Sequence, residues 1–282
     1  MKTWTRAAID SDKERFMWIE RYATPGLAYI DDVWDMFKAG SDGEFSAAFY
    51  GDELGGIGKL TRLFDGYAWL ETLRVHPDYQ GKGLGKAIYE RYMEQMTDMK
   101  LSAVGMYTNY DNIVSRSLAE KYGLSVAARF SEYNAGEIQA DKSPFDGLTL
   151  VTPEHSETLL SERFNKIRGF LVLNRTFYPV KPGLLKKLAI NKWLYTHEHG
   201  IIVMGCRFQP KKALHIAFMD GNRDKLLQLA KAHAVNIGAN MVSAMRAYDD
   251  EFENELFLKN GFTKNNTDYI TLWKGLDEAG GK

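Results

Sequence analysis

"VHPDYQGKGLGKAIYER", Val75 to Arg91, places Gly81, Gly83 and Gly85 within five residues, between an apolar run and a segment of helical periodicity. Glycine costs backbone entropy on folding, so clustering it at a strand-to-helix junction points to backbone that something must approach closely. Leu84, Ile88, Tyr92 and Met96 recur at four-residue steps behind the cluster and predict a helix. Tyr67 to Val75, in front of it, reads as a strand. Two familiar phosphate loops are excluded by spacing. A Walker A loop needs G-x-x-x-x-G-K-[ST], but Gln80 stands at its first glycine and Ala87 removes the hydroxyl for magnesium. A dinucleotide fingerprint needs G-x-G-x-x-G, and the spacing here is G-x-G-x-G.

Working outward, Thr3 to Ile9 reads as a strand, followed by a helix with Ser11 and Glu14 spaced as a capping box. Val33, Trp34 and Phe37 predict a short helix over 31–38. Phe45 to Tyr50 and Ile57 to Leu63 read as a hairpin, and "LSAVGMYTN" as a strand. A helix over 113–122 stops at Gly123, and Leu124 to Tyr133 returns as strand. Asn134 to Gly147 is polar and turn-rich and reads as a linker. The outline then recurs: strand 148–151, a helix after Pro153, a hairpin over 193–208, strand 213–219, helix 224–237 and strand 241–246. "YDNIVSRSLAEKYGL" from Tyr110 and "YDDEFENELFLKNGF" from Tyr248 share Tyr, Asp, Leu, Lys and Gly in register, which reads as two copies of one unit. The length of 282 residues accommodates two domains of roughly 140.

A net charge of −1 gives no general pull toward nucleic acid or an anionic membrane. No apolar run approaches the ~18 residues of a membrane helix, and the polar "MKTWTRAAIDSDKERF" is not a signal peptide. A cytoplasmic protein is expected. The single cysteine, Cys206, reads as a buried core thiol in a reducing compartment. His197-Glu198-His199 lacks the H-E-x-x-H spacing and reads as a solvated turn; no metal site is expected.

Gln80, Gly83 and Gly85 fit the pattern Q/R-x-x-G-x-G/A, set after a strand and opening a helix. With "LETLRVHPDYQGKGLGKAIYE" around it, this segment resembles the pyrophosphate-binding segment of the GNAT superfamily of N-acetyltransferases. The physics agrees: absent Cβ atoms admit a diphosphate, successive N–H groups face it, and a helix N-terminus adds positive partial charge. Lys82 and Lys86 add charge at the rim. The resemblance continues into a helix of the form N-x-x-[AS]-x-x-L-Y-E-K-x-G-[FL], met here by Asn112, Ser115, Leu118, Glu120, Lys121, Gly123 and Leu124. It covers about Thr3 to Tyr133.

The resemblance implies an α/β (α+β) chain of two GNAT-like domains, each a mixed, mostly antiparallel central sheet flanked by helices. Residues 1–140 would bind acetyl-CoA, and 145–276 would be a degenerate copy lacking Q-x-x-G-x-G. It implies acyl transfer from acetyl-CoA to a small-molecule or peptide amine, with no metal, no nucleic acid, no membrane, and a homodimer as an option. Cofactor contacts would come from Leu73, Arg74, Val75, Gln80, Gly81, Lys82, Gly83, Leu84, Gly85, Lys86, Asn112 and Ser115. The Leu73 N–H would polarise the thioester carbonyl. Glu71, two residues earlier and so on the same face of a regular strand, is the candidate base; binding a cationic acceptor or forming a surface pair are its other readings. The family's acid tyrosine is replaced by Ala119, which leaves Tyr122, Tyr110 or solvent to protonate the thiolate. His215 falls at the position of Glu71 if Met219 is laid on Val75. Asp31, Asp32 and Asp35 suit a cationic amine or simply an acidic helix start, and Tyr29 and Trp34 suit a pocket or the core. The alternative function is a catalytically silent acyl-CoA-binding or structural protein.

Overall fold

The computed structural model describes residues 1–64, 66–136, 138, 147–156, 169–181 and 183–275. The chain forms two compact units: Met1–Tyr107, Asn112–Val126 and Leu272–Lys282 make the first, Thr108–Asp111 and Ala127–Thr271 the second. They are not two uninterrupted halves, since Leu272 to Gly275 belong to the first and Thr108 to Asp111 to the second.

The first unit contains β1 (Thr3–Ala7), α1 (Lys13–Ala23), α2 (Ile30–Lys38), β2 (Phe45–Tyr50), β3 (Glu53–Arg62), β4 (Ala68–Val75), α3 (Leu84–Asp98), β5 (Ala103–Asn109), α4 (Ile113–Lys121) and the start of β6 (Ser125–Gly136). The sheet runs in the order β1-β2-β3-β4-β5. Pairing is antiparallel up to β3–β4 and parallel at β4–β5. Alternation of side chains divides the sheet into two faces. On one, Phe16 of α1 and Trp34 and Phe37 of α2 pack edge-on with each other or with Phe45 of β2, so Trp34 is core. On the other, α3 lies close because β3 offers glycine: a Cβ on Gly58 would stand 2.2 Å from the Tyr92 hydroxyl.

The expected Ser11–Glu14 capping box does not form. A short turn over Asp10–Asp12 precedes α1, and the Asp12 carboxylate accepts the Ile9 N–H at 2.9 Å. Arg6 on β1 neutralises it through two bonds of 2.6 and 2.9 Å, a partner local spacing could not reveal.

The second unit takes β6 from Ala127 onward and contains β7 (Thr149–Leu150), β8 (Phe170–Leu173), β9 (Thr176–Pro179), α5 (Leu184–Ile190), β10 (Leu194–His197), β11 (Gly200–Gly205), β12 (Leu214–Gly221), α6 (Arg223–Asn236), β13 (Met241–Ala247), α7 (Glu251–Lys259) and β14 (Thr263–Lys264). Its sheet order is β6-β13-β12-β11-β10-β7, with β14 also on β6. The last strand, β15 (Tyr269–Gly275), ends in the first unit. Asn134 to Gly136, expected as linker, pair with β13 in the sheet. The rest of that expected linker, at 137 and 139–146, lies outside the described residues.

The hairpin β8–β9 was not legible in the sequence. Its two-residue turn uses Asn174 and Arg175 at φ 49° and 55°, the primed geometry that suits strand twist, without the usual glycine. What holds Arg175 there is distant: its guanidinium grips the buried Glu132 carboxylate at 2.9 and 2.6 Å.

The two units repeat one motif. In each, the central parallel pair lasts three residues, Ala68↔Val104 to Leu70↔Met106 and Leu214↔Val242 to Ile216↔Ala244. Each also has a register shift on the antiparallel side. This register lays His215 on Trp69, not on Glu71, because counting back from the strand ends ignores the different course of each strand past its irregularity. His215 is half-buried, and desolvation of its imidazole pulls its pKa down to about 4. The unfolded chain, with a histidine near 6.5, binds the proton more readily, so this stability is present above pH 6.5 and is lost as pH falls toward 4. The loss amounts to about 3 kcal/mol at 1.36 kcal/mol per unit. His215→Gln is expected to flatten denaturant-measured stability over that window; an unchanged slope would mean that the imidazole is solvated.

Cys206 is half-buried. Its thiol donates to the Phe208 carbonyl at 2.6 Å and its pKa is pushed up by burial. Among the described residues no helix is long and apolar enough to cross a membrane.

Candidate active site

β4 carries the site because its two edges part company. On the β5 side, pairing ends at Leu70↔Met106, although β4 continues to Val75 and β5 to Asn109. On the β3 side, pairing continues through Arg74↔Ile57, and the His76 N–H reaches Gly55 O at 2.9 Å. Backbone groups alternate along a strand, so Arg74 and His76 face β3 while Leu73 and Val75 present theirs to the open edge. The Val75 carbonyl there receives Gln80 Nε2 at 3.2 Å, which ties the strand end to the glycine loop. The Leu73 N–H stands on the open edge, as the resemblance implies.

A bulge sets the faces. Between Lys59↔Glu71 and Ile57↔Arg74, β4 spends three steps against two on β3, and Thr72 takes φ 60°. The extra residue breaks the expected parity: Glu71 shares its face with Arg74, and Leu73 points to the other. This face, covered by α1 and α2, gathers polar groups. The Tyr29 and Thr72 hydroxyls are 2.8 Å apart. Thr61 donates to Glu71 Oε1. Arg74 is buried and ion-paired with Glu20, whose oxygens also accept the Tyr29 and Ile30 N–H groups at 3.1 Å each. With its side chain held by Glu20 and its backbone paired to β3, Arg74 is withdrawn from the open edge, a correction to its expected cofactor contact forced by a partner 54 residues away. Burial pushes the Tyr29 phenol up to about 12.

The loop supplies anion-binding groups. Gly81 and Gly83 sit at φ 74° and 87°, where a side chain is strained, and a Cβ on Gly81 would meet nothing within 4 Å. Gly85 has another reason: its Cβ would come within 3.2 Å of Leu118 on α4, so it sets helix–helix spacing. Among the described residues, the N–H groups of Gly81, Gly83, Leu84, Gly85 and Lys86 have no backbone acceptor. The Gly83 N-cap provides no side chain, and the first turn of α3 has no acidic residue. Open donors at the positive end of a fifteen-residue helix fit a diphosphate. Exposed Lys86 pairs with Glu90 at 3.4 Å, and Lys82 lies over Tyr50 and Tyr79 at 5.1 and 5.0 Å.

Asn112 is the N-cap of α4, its side-chain oxygen taking the Ser115 N–H at 3.1 Å. This couples the two expected contacts and leaves the amide nitrogen for a ligand. Ala119 is fully buried. Both expected substitute acids have local partners. The Tyr122 hydroxyl donates to Lys86 O at 3.2 Å and its ring stacks on Tyr89 at 4.7 Å. Tyr110 lies in the second unit under the Arg129 guanidinium at 3.9 Å.

The second unit fills each of these openings with its own side chains. Arg246 Nη1 donates to Ile216 O and Ala217 O at 3.2 Å and to Met245 O at 2.8 Å, bridging the parted strands, and its Nε holds Glu253 at 3.0 Å. Asn222 caps α6 through the Lys225 N–H at 3.2 Å, and Asp224 puts a negative charge in the first turn. A diphosphate would meet a satisfied and acidic helix end there. At the turn after β10, the ligand atoms of His197, Glu198 and His199 lie within 4.8 Å of one another, with His197 Nδ1 accepting the His199 N–H at 3.2 Å.

A strand freed on one edge leads into open N–H groups at a helix start, an arrangement suited to a ligand that carries a diphosphate. The sequence profile of the acetyltransferase (GNAT) family matches residues 10–124, the part of the chain that carries the loop and α4, and marks that part as a GNAT acetyltransferase domain. The chain's fold is similar across 97% of its length to a GCN5-related N-acetyltransferase from Sphaerobacter thermophilus, with TM-score 0.67, 16% identity and 96% of that chain covered. A putative acetyltransferase from Pyrococcus horikoshii matches 97% of this chain and 89% of its own, with TM-score 0.64 and 16% identity. A tandem GNAT protein from the clavulanic acid biosynthesis pathway covers 99% of both chains, with TM-score 0.59 and 12% identity. These likenesses show the fold, two GNAT-like units in one chain. No curated protein matches the sequence.

Proposed function

We propose that the first unit transfers an acetyl group from acetyl-CoA directly to a primary amine, with both bound together, and that it does so in the cytoplasm. The observation that carries this reading is the set of N–H groups of Gly81, Gly83, Leu84, Gly85 and Lys86 that have no backbone acceptor, beside the open edge at Leu73 and Val75. The loop would hold the pyrophosphate, and the backbone of Leu73 and Val75 the pantetheine. Asn112 and Ser115 would bound the same ligand from α4. The Leu73 N–H would donate to the thioester oxygen as charge grows on it. Glu71 would take the proton of the attacking amine, since only the neutral amine is nucleophilic. The acceptor would be a small-molecule or peptide amine lying on the α1–α2 face, and a second copy of the chain remains a candidate partner.

Calorimetric titration with acetyl-CoA, NADH and ATP tests the donor. Selective acetyl-CoA binding at micromolar strength and one site per chain is the expected result. Thiol release from acetyl-CoA across a panel of primary amines then tests transfer. Glu71→Gln is expected to lower turnover about 100-fold or more and to remove the rise of rate with pH, with acetyl-CoA affinity unchanged. Binding without turnover on any amine would favour the silent acyl-CoA-binding alternative.

A further inference from the structure

Replacement of the family's acid tyrosine by Ala119 leaves the departing thiolate without a donor from α4. The register of β4 and β5 points to another. Pairing runs Trp69↔Gly105 and Leu70↔Met106 and then stops. The next residues on the two diverging strands are Glu71 and Tyr107. Residues two apart on a strand share a face, and so do residues paired across strands. Glu71 follows Trp69 by two, ahead of the bulge at Thr72, and Tyr107 follows Gly105 by two. Both side chains therefore rise on one face from opposite arms of the cleft, at the point where it opens. The Tyr107 ring lies parallel to that of Trp69 at 6° and 6.3 Å, which fixes its direction, and the residue is half-buried. Tyr29, hydrogen-bonded to Thr72 across this opening, is influenced by the charges of Arg74, Tyr107 and Glu71 together, so these groups converge.

We propose that Tyr107 is the catalytic acid of this enzyme, donating its phenolic proton to the sulfur of coenzyme A as the carbon–sulfur bond breaks. This rests on the acetyl-transfer reading above. The balance closes without a further reactant. The amine nitrogen bonds to the acetyl carbon and gives a proton to Glu71; the sulfur leaves with the C–S electron pair and takes the Tyr107 proton. Amide and free thiol are the products, and solvent returns one proton to Tyr107 and removes one from Glu71.

The test is Tyr107→Phe, which keeps the ring beside Trp69. Thiol release from acetyl-CoA is followed from pH 6 to 10.5 with the amine of the panel that turns over, or with hydroxylamine. The expected result is a kcat reduced about 100-fold, KM and calorimetric affinity for acetyl-CoA within about twofold, and loss of the alkaline fall in rate that ionisation of the acid imposes. Tyr107→His, which keeps a proton donor, is expected to recover part of kcat. A kcat within twofold of the parent, or an unchanged alkaline limb, overturns the proposal. A parent protein that binds no acetyl-CoA would instead overturn the transferase reading, so the two failures are separable.

Discussion

Gly83→Asp is expected to weaken acetyl-CoA binding by at least about 100-fold while the denaturation midpoint moves little. Two opposing terms set the stability. Gly83 sits at φ 87°, and a side chain there costs of order 1 kcal/mol, with aspartate among the residues that tolerate the region best. Against that, a carboxylate at an N-cap bonds the first-turn N–H groups and complements the helix dipole, a gain of about 1 kcal/mol. Space is not limiting, since the nearest atom to a Cβ is Thr3 Cγ2 at 3.8 Å. Binding is affected differently. The new carboxylate takes the donors that the diphosphate needs and adds negative charge beside it. Charge-assisted hydrogen bonds are worth about 1.5–3 kcal/mol each, so losing two exceeds a factor of 100. The substitution would install in the first unit what Asn222 and Asp224 already do in the second. Calorimetric titration checks it; an affinity within threefold of the parent would remove the pyrophosphate from this loop.

The largest stability effect is expected at Glu20. Its carboxylate does two jobs at 3% exposure: it neutralises Arg74, which is 5% exposed, and it accepts the N–H groups of Tyr29 and Ile30 where α2 begins. Glu20→Ala leaves a buried guanidinium unpaired and two donors unanswered. Removing one partner of a buried pair costs about 3–5 kcal/mol, against about 1 kcal/mol for a surface pair. Urea unfolding of the parent, of Glu20→Ala and of Glu20→Gln gives the measurement, with glutamine expected to recover part of the loss because it still accepts. A cost below about 1 kcal/mol would mean that water reaches Arg74. The pair also anchors the strand carrying Glu71 and Leu73 to the helices of the acceptor face, so destabilisation should be accompanied by lower turnover.

Gly81 and Gly83 were readable because their purpose is local: a turn at positive φ, a helix start and open donors all fall within six residues, whereas Gly85 answers to Leu118 on α4. The repeat of "YDNIVSRSLAEKYGL" in "YDDEFENELFLKNGF" was readable for the same reason, and it correctly indicated two copies of one unit. Asn112 and Ser115 were marked only by the resemblance of their helix to the family's; that the Asn112 side chain caps that helix through the Ser115 N–H came from the structure. The reading of Glu71 and Leu73 as neighbours on one face failed, because a bulge is a property of two strands and Thr72 carries no mark of it. Arg74 was assigned to the cofactor because nothing nearby shows Glu20 waiting for it. Tyr107 was passed over because its position depends on where β4 and β5 cease to pair.

The sequence by itself pointed to an acetyltransferase family, to a glycine loop with the pattern of its donor-binding segment, and to the duplication of the fold. These rest on short-range geometry, in which a few consecutive residues fix dihedral angles and donor directions. Only the tertiary structure decided which face Glu71 serves, that Arg74 is withdrawn into an ion pair, and that Arg246 closes the cleft of the second unit. Each of those outcomes comes from contact between residues far apart in the chain, or from strand register, where one extra residue turns every later side chain to the opposite side of the sheet.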